Sequence, residues 1–222
     1  MDLEFFLNTE LFHGMDKNQL EKLFECIEAH TRKYKKGEII FHMGEAVRSI
    51  GMVICGSVII ENDDLWGNKS ILSRIDGGNI FGETYACTDG EPMMVNAVAD
   101  ENTEIVFFDI DKILELQGCH SKIIKNLLRI TANKNLQLSR RILHTSAKSI
   151  RGRLMSYFSE CSKQAGSRTI KIAFNRQQLA DYLSVDRSAM CSELSKMKKD
   201  GLIEYNKNKF RLLQTGYDLI FY

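Results

Sequence analysis

The stretch that decides the fold spans residues 174–213 and reads "FNRQQLADYLSVDRSAMCSELSKMKKDGLIEYNKNKFRLL". A helix is predicted to begin at Asn175, because Gln178 follows three residues later in the spacing of a capping box. "SV" then makes a tight turn, Asp186 caps a second helix and Gly201 ends it. Two short strands, "LIEY" and "KFRLL", follow around the polar segment "NKNK". This order predicts a helix-turn-helix with a β-hairpin wing.

The outward side chains of this segment suit contact with nucleic acid. The first helix braces the second, whose N-terminal residues can enter a DNA major groove wide enough to admit a helix. We expect base edges and phosphates to be reached by Arg187, Ser188, Ser192, Lys196, Arg176, Gln177, Lys207 and Lys209. A winged helix that serves only protein contacts is the alternative.

The charge of the chain is unevenly distributed. Residues 146–222 carry 14 Lys and Arg against 7 Asp and Glu, whereas the rest carries 16 against 22. A basic C-terminal third is what a DNA-binding module needs, because phosphate contacts supply most of its affinity. Basic helix faces exposed to solvent would give the same excess of Lys and Arg. The charge pattern therefore supports the helix-turn-helix motif but would not by itself indicate DNA binding.

Two further blocks precede this segment, after short helices within residues 1–30. Residues 31–110 hold short apolar or alternating runs between Gly, Asn and Asp clusters, which is typical of an antiparallel barrel or sandwich. The next block lacks proline and predicts a long helix. The expected class is α+β: an antiparallel, jelly-roll-like β-roll, a long dimerisation helix and a winged helix-turn-helix. The predicted domains are residues 1–110, 111–146 and 147–222.

The predicted long helix carries two adjoining stripes. Ile123, Leu127 and Ile130 form one of them. The other follows a heptad frame and comprises Ile124, Leu128, Thr131, Asn135, Leu138 and Ile142. One stripe can pack the helix onto its own domain and the other onto a second copy of the chain, with Asn135 setting the register. A single broad core face is the alternative.

Composition and motifs exclude several classes of protein. No apolar run approaches the ~20 residues that cross a bilayer, and the acidic start "MDLEFFLNTE" lacks the basic region of a signal peptide. We therefore expect a cytoplasmic protein without a membrane partner. Its six cysteines, at positions 26, 55, 87, 119, 161 and 191, show no metal-ligand spacing, so free thiols and no metal are expected.

An enzyme with a cupin-like barrel is the function considered from another class. Such enzymes need several histidines and a carboxylate around a metal. Only His42 lies in the strand-rich block, and neither a nucleophile triad nor a phosphate loop is present. We expect no catalytic residues.

Several segments, taken in order, resemble the Crp/Fnr family of bacterial transcription regulators. They are "LFHGM" (11–15), "YKKGEIIFHMGE" (34–45), "GSVII" (56–60), "GGNIFGE" (77–83), "SIRGRLMSYF" (149–158) and the winged helix-turn-helix. The resemblance spans nearly the whole chain and implies a cyclic-nucleotide-binding-type β-roll, a dimerisation helix and a DNA-binding domain. It also implies a homodimer on a palindromic site with half-sites roughly 34 Å apart, and RNA polymerase as a further partner.

The resemblance also places the effector contacts of the cyclic-AMP-binding members. Gly82–Glu83 matches the turn that contacts ribose and phosphate. Met93–Met94 stands where an Arg-Ser pair neutralises the phosphate, and Leu138–Ser139 where a Thr-Ser pair touches adenine. A buried phosphodiester without a paired cation carries a large desolvation cost. We therefore expect no cyclic AMP binding.

The residues that other members of the family use to sense signals are also missing from this sequence. Only Cys26 lies in the first 50 residues, so an iron–sulfur cluster is not expected. None of the histidines has a cysteine placed to suit haem. Two interpretations stay open: an apolar small molecule against Met93, Met94 and Leu138, or a pocket filled by its own side chains. In the second, control acts through abundance or through the thiols at positions 87 and 191.

The reading helix departs from the family at one position. Many relatives have Ser-Arg where this chain has Cys191–Ser192. An arginine there often makes a bidentate contact with guanine, which a serine cannot make. The DNA target is expected to differ at that base pair, and Arg187 becomes the main candidate for direct base readout.

Overall fold

The computed structural model describes residues 2–27, 29–63, 69–88, 90–115 and 121–213. The chain divides into two compact units, Met1–Asn133 and Lys134–Tyr222. Within the described ranges, no helix is long and apolar enough to cross a membrane. The finer predicted boundaries, at 110/111 and 146/147, stay predictions.

The first unit combines four short helices and the start of a long one with eight described strands. The helices are α1 (Leu3–Leu7), α2 (Lys17–Cys26), α3 (Glu83–Ala86), α4 (Ile110–Glu115) and α5 (Ser121–Thr145), of which α5 continues into the second unit. The strands are β1 (His30–Tyr34), β2 (Ile39–Phe41), β3 (Ser49–Cys55), β4 (Ser57–Asp63), β5 (Lys69–Asp76), β6 (Ile80–Phe81), β7 (Asn96–Ala99) and β8 (Thr103–Asp109).

These strands form two four-stranded sheets. The strand order is β1-β8-β3-β6 in one and β2-β7-β4-β5 in the other, and the described pairs are antiparallel. Alternating and apolar runs suit strands that share an interior face, because successive side chains point to opposite faces. The predicted antiparallel β-roll is confirmed.

Two apolar clusters stabilise the first unit. In one, the helices pack on the roll, and the rings of Phe6, Phe12 and Phe24 meet edge to face. The other draws on strands of both sheets, and we call it the roll interior. It comprises Phe41, Val53, Val58, Phe81, Met93, Ala97, Ile105 and Phe107.

The second unit contains the rest of α5 and a compact helical and β-hairpin fold. Its further elements are α6 (Ile150–Ala165), β9 (Thr169–Lys171), α7 (Arg176–Tyr182), α8 (Arg187–Lys199), β10 (Ile203–Asn206) and β11 (Lys209–Leu212). Asn175 and Gln178 form the predicted capping box of α7, and the side chain of Asp186 accepts a hydrogen bond at the start of α8. The predicted winged helix-turn-helix is confirmed, and β9 adds a third strand to the hairpin in the order β10-β11-β9.

The two stripes of α5 have different surroundings. Ile123, Leu127 and Ile130 are buried in the core of the first unit. Leu128, Leu138 and Ile142 are 69%, 61% and 66% exposed. Of the other members of the heptad frame, Ile124 and Thr131 are half-buried and Asn135 is exposed. A single broad core face would have buried both stripes, so this arrangement favours the two-stripe interpretation.

His144 at the end of α5 is a buried titratable group, only 3% exposed. Its Nδ1 lies 3.0 Å from the Ser156 hydroxyl, and its Nε2 lies 3.3 Å from a carboxylate oxygen of Glu160. Burial lowers the pKa of the imidazole, nearby Arg140 lowers it further, and Glu160 opposes both. The neutral form is therefore favoured in the folded protein.

The free energy of unfolding is expected to decrease as the pH falls below about 6.5, the ordinary pKa of histidine. In the window between that value and the lowered pKa, the unfolded chain binds a proton that the folded chain does not. This one group then contributes a slope of at most about 1.4 kcal/mol per pH unit. Urea unfolding between pH 7.5 and 5.5 measures it. His144→Gln should flatten the slope, whereas His42→Gln, the control at an exposed position, should not. Equal slopes for wild type and both variants would contradict the prediction.

Candidate nucleic-acid interface and sensory interior

Helix α8 has one face in the core and one in solvent. Met190, Leu194 and Met197 recur at the helical period and are buried. Arg187 and the serines at positions 188 and 192 are exposed on the N-terminal half, and Lys196 is exposed further along. The face that the sequence assigns to DNA is therefore accessible.

A groove of about 940 Å³ lies between the wing, the start of α7 and the start of α8. It is lined by Lys171, Asn175, Arg176, Gln177, Arg187, Asn206, Lys207, Asn208 and Lys209. Five of these nine residues are basic and none of the nine is acidic, so the groove attracts an anionic backbone. It brings together five of the eight residues that the sequence assigns to DNA, whereas Ser188, Ser192 and Lys196 lie along α8 outside its lining. We call it the basic groove.

Arg176 and Gln177 make contacts within the second unit. The guanidinium of Arg176 lies 5.3 and 4.9 Å from the ring centroids of Tyr205 and Phe210. It also donates a hydrogen bond of 2.8 Å to the carbonyl oxygen of Lys207. The amide of Gln177 donates to Asp181 at 2.8 Å, an i,i+4 pair that helix periodicity would have revealed.

Two arginines of α6 position the helix-turn-helix, and sequence reasoning did not assign them a role. Arg151 forms ion pairs with Glu193 in the middle of α8, at 2.5 Å, and with Asp200 just after its last residue, at 2.7 Å. Arg153 donates to the carbonyl oxygens of Leu183 and Ser184 in the turn, at 2.9 and 2.8 Å. Their partners lie 30 to 49 positions away, so local patterns carry no signal for these contacts.

The Gly82–Glu83 turn lies against the roll interior. Gly82 has a φ of 80°, in the left-handed region that favours glycine. A Cβ at this position would lie 2.9 Å from the ring of Phe41, so that ring occupies the space beside the turn. The side chain of Glu83 is buried.

The two adjacent methionines point in different directions. Met93 is 3% exposed and belongs to the roll interior, whereas Met94 is 72% exposed. The rings of Phe81 and Phe107 lie 5.6 and 5.7 Å from that of Phe41 in the same cluster. The structure thus brings Gly82, Glu83 and Met93 to this region but leaves Met94 outside. Leu138 and Ser139 belong to the second unit and are exposed.

The cysteines in the described part of the chain are free thiols at positions 26, 55, 87, 161 and 191, and Cys119 lies outside the described residues. Burial raises the pKa of the Cys87 thiol, and the nearby Glu83 adds to this effect. The raised pKa disfavours the thiolate, which is the reactive form, but the side chain of Cys87 is exposed. Cys191 is half-buried on α8.

Comparison with known proteins finds two matching domain families and relatives that match most of the chain. A cyclic nucleotide-binding domain matches residues 31–118, and a Crp-like helix-turn-helix domain matches residues 152–216. Electron transport regulator A of Shewanella oneidensis is 23% identical over 211 residues, which cover 92% of this chain and 82% of that protein. The cAMP-activated global transcriptional regulator CRP of Haemophilus influenzae is 22% identical over 178 residues, which cover 78% and 80%. The solved structure of OCPA-complexed CprK has the same fold, with a TM-score of 0.64 at 18% identity over 89% of this chain and 93% of that one.

Proposed function

Since the chain belongs to the Crp/Fnr family of transcription regulators, we propose that it binds DNA sequence-specifically, as a homodimer on a palindromic site. The observation that carries this proposal is the exposed N-terminal face of α8 beside the basic groove. A helix reads base edges in the major groove, while lysines of the wing contact phosphates. The surface proposed to read bases and the surface proposed to contact phosphates are therefore adjacent within the second unit.

The homodimer is supported by the exposed stripe of α5. A helix that leaves Leu128, Leu138 and Ile142 in solvent gains apolar burial when it pairs with a second copy. Two copies related by a two-fold axis would present two α8 helices to half-sites one DNA turn apart. RNA polymerase as a further partner stays a prediction.

For the sensory domain we propose an interior filled by its own side chains. Met93 stands where relatives that bind cyclic AMP have a cation, and the Phe41 ring occupies the space beside Gly82. A cyclic nucleotide would have to displace this ring and bury its phosphate without a cation at position 93. The packing of Phe41 and Met93 in the roll interior supports the filled pocket over an apolar effector.

The test is binding of the purified protein to fragments of the genome that encodes it, followed by sequencing, at low and high salt and with or without cyclic AMP. We expect specific fragments to be retained at low salt, binding to weaken steeply as salt rises, and cyclic AMP to have no effect. The absence of any retained fragment at low salt would contradict the regulator function. A tighter complex with micromolar cyclic AMP would contradict only the sensory proposal.

Arg187→Ala is expected to weaken specific binding by about 1–3 kcal/mol and to relax base preference at one position per half-site. The reason is that the exposed Arg187 starts α8, where a guanidinium reaches a guanine edge. Affinities for the selected site and for its single-base variants measure both effects. Lys163→Ala, which removes a charge outside the basic groove, is the control. Equal weakening on every sequence would instead identify Arg187 as a phosphate contact.

A further inference from the structure

The turn of the wing has a backbone conformation that needs support. Lys207, between β10 and β11, has a φ of 51°, in the left-handed region that residues other than glycine rarely adopt. Such a conformation costs free energy and persists only where the surroundings hold it in place. Lys207 is also one of the residues that line the basic groove.

Arg176, the first residue of α7, makes the contacts that hold this turn. Its Nη2 donates to the Lys207 carbonyl oxygen at 2.8 Å. The same guanidinium lies over Tyr205 on β10 and Phe210 on β11, so it contacts both strands of the wing as well as the turn between them. One planar group therefore links the helix-turn-helix to the whole hairpin.

The guanidinium of Arg176 is poorly placed to bind DNA itself. Its Nη1 is buried and has no hydrogen-bond partner among the described residues. Its Nη2 is bonded to the turn, and its face lies on aromatic rings. By contrast, Lys171, Lys207 and Lys209 are exposed on the walls of the basic groove.

We propose that Arg176 is a positioning residue for DNA binding: it holds the wing turn in the conformation that presents the Lys207 ammonium to a DNA phosphate. A preformed turn loses less conformational entropy on binding, so the contact contributes more affinity. This proposal rests on the proposed DNA-binding function. It changes the expected role of Arg176, which no longer contacts DNA itself but positions Lys207 for that contact.

A double-mutant cycle tests this role. Affinities of wild type, Arg176→Gln, Lys207→Ala and the double variant are measured for the same site over a range of salt concentrations. We expect Lys207→Ala to weaken binding roughly tenfold and to lower the salt slope by about 0.9 per lost phosphate contact. Arg176→Gln should cost no more than Lys207→Ala. In the Lys207→Ala background it should cost less than twofold and leave the salt slope unchanged.

Arg176→Lys provides a second variant and covers the case in which Arg176→Gln does not fold. Lysine keeps the positive charge but lacks the planar group that bonds to the carbonyl oxygen while it stacks on both rings. We expect it not to restore wild-type affinity, whereas Lys207→Arg should bind like wild type.

Two outcomes would overturn the proposal. In one, the losses of Arg176→Gln and Lys207→Ala are additive and each lowers the salt slope. In the other, Arg176→Lys retains full affinity, as a direct phosphate contact would. Wild-type protein that shows no salt-dependent DNA binding would refute the proposed function instead, so the two failures are distinguishable.

Discussion

Met93→Ala is expected to lower the free energy of unfolding by about 2–5 kcal/mol, whereas Met94→Ala should change it by less than about 0.5 kcal/mol. The two residues are neighbours in sequence and identical in chemistry. Met93 is 3% exposed within the roll interior and Met94 is 72% exposed. Truncation at position 93 removes buried apolar atoms and leaves a cavity among Phe41, Phe81 and Phe107, because packed side chains relax only in part.

Urea unfolding of the full chain measures both changes, and Met94→Ala is the matched control. The comparison also tests the state of the sensory domain. A Met93→Ala variant as stable as wild type would mean that the roll interior is not closely packed. That result would contradict the filled pocket and favour the apolar effector.

If the chain is the proposed homodimer, the double variant Leu138→Asp, Ile142→Asp is expected to be monomeric and to bind the proposed palindromic site at least about 100-fold more weakly. Both residues are exposed on the heptad frame of α5, so two charges there would meet two charges of the second copy. Loss of the dimer removes the gain in affinity that comes from binding two half-sites at once. Such a gain reaches 10²–10⁴-fold.

Sedimentation and binding measurements on the same samples check this expectation. Leu136→Asp is the matched control. Leu136 is also exposed on α5, but it lies about 200° around the helix from Leu138 and therefore on a different face. It should remain dimeric and bind normally. Wild type that sediments as a monomer at micromolar concentration, or a double variant that stays dimeric, would contradict the proposed seam.

Local patterns were sufficient for the architecture. The capping box of Asn175 and Gln178, the cap at Asp186 and the buried periodicity of α8 all involve residues a few positions apart, and the structure confirms each of them. The alternating runs of residues 31–110 predicted the β-roll for the same reason, because side-chain period depends on local backbone geometry. The family resemblance added the order of the domains.

The sites depended on contacts between residues distant in the chain. Sequence alone could not separate Met93 from Met94, because the direction of each side chain depends on the strands that pack over it. Nor did it show that Arg176 lies on Tyr205 and Phe210, about thirty positions away. Secondary structure and fold thus follow from short-range patterns, whereas the packing of the roll interior and the contacts of Arg176 with the wing arise only when residues distant in the chain come together.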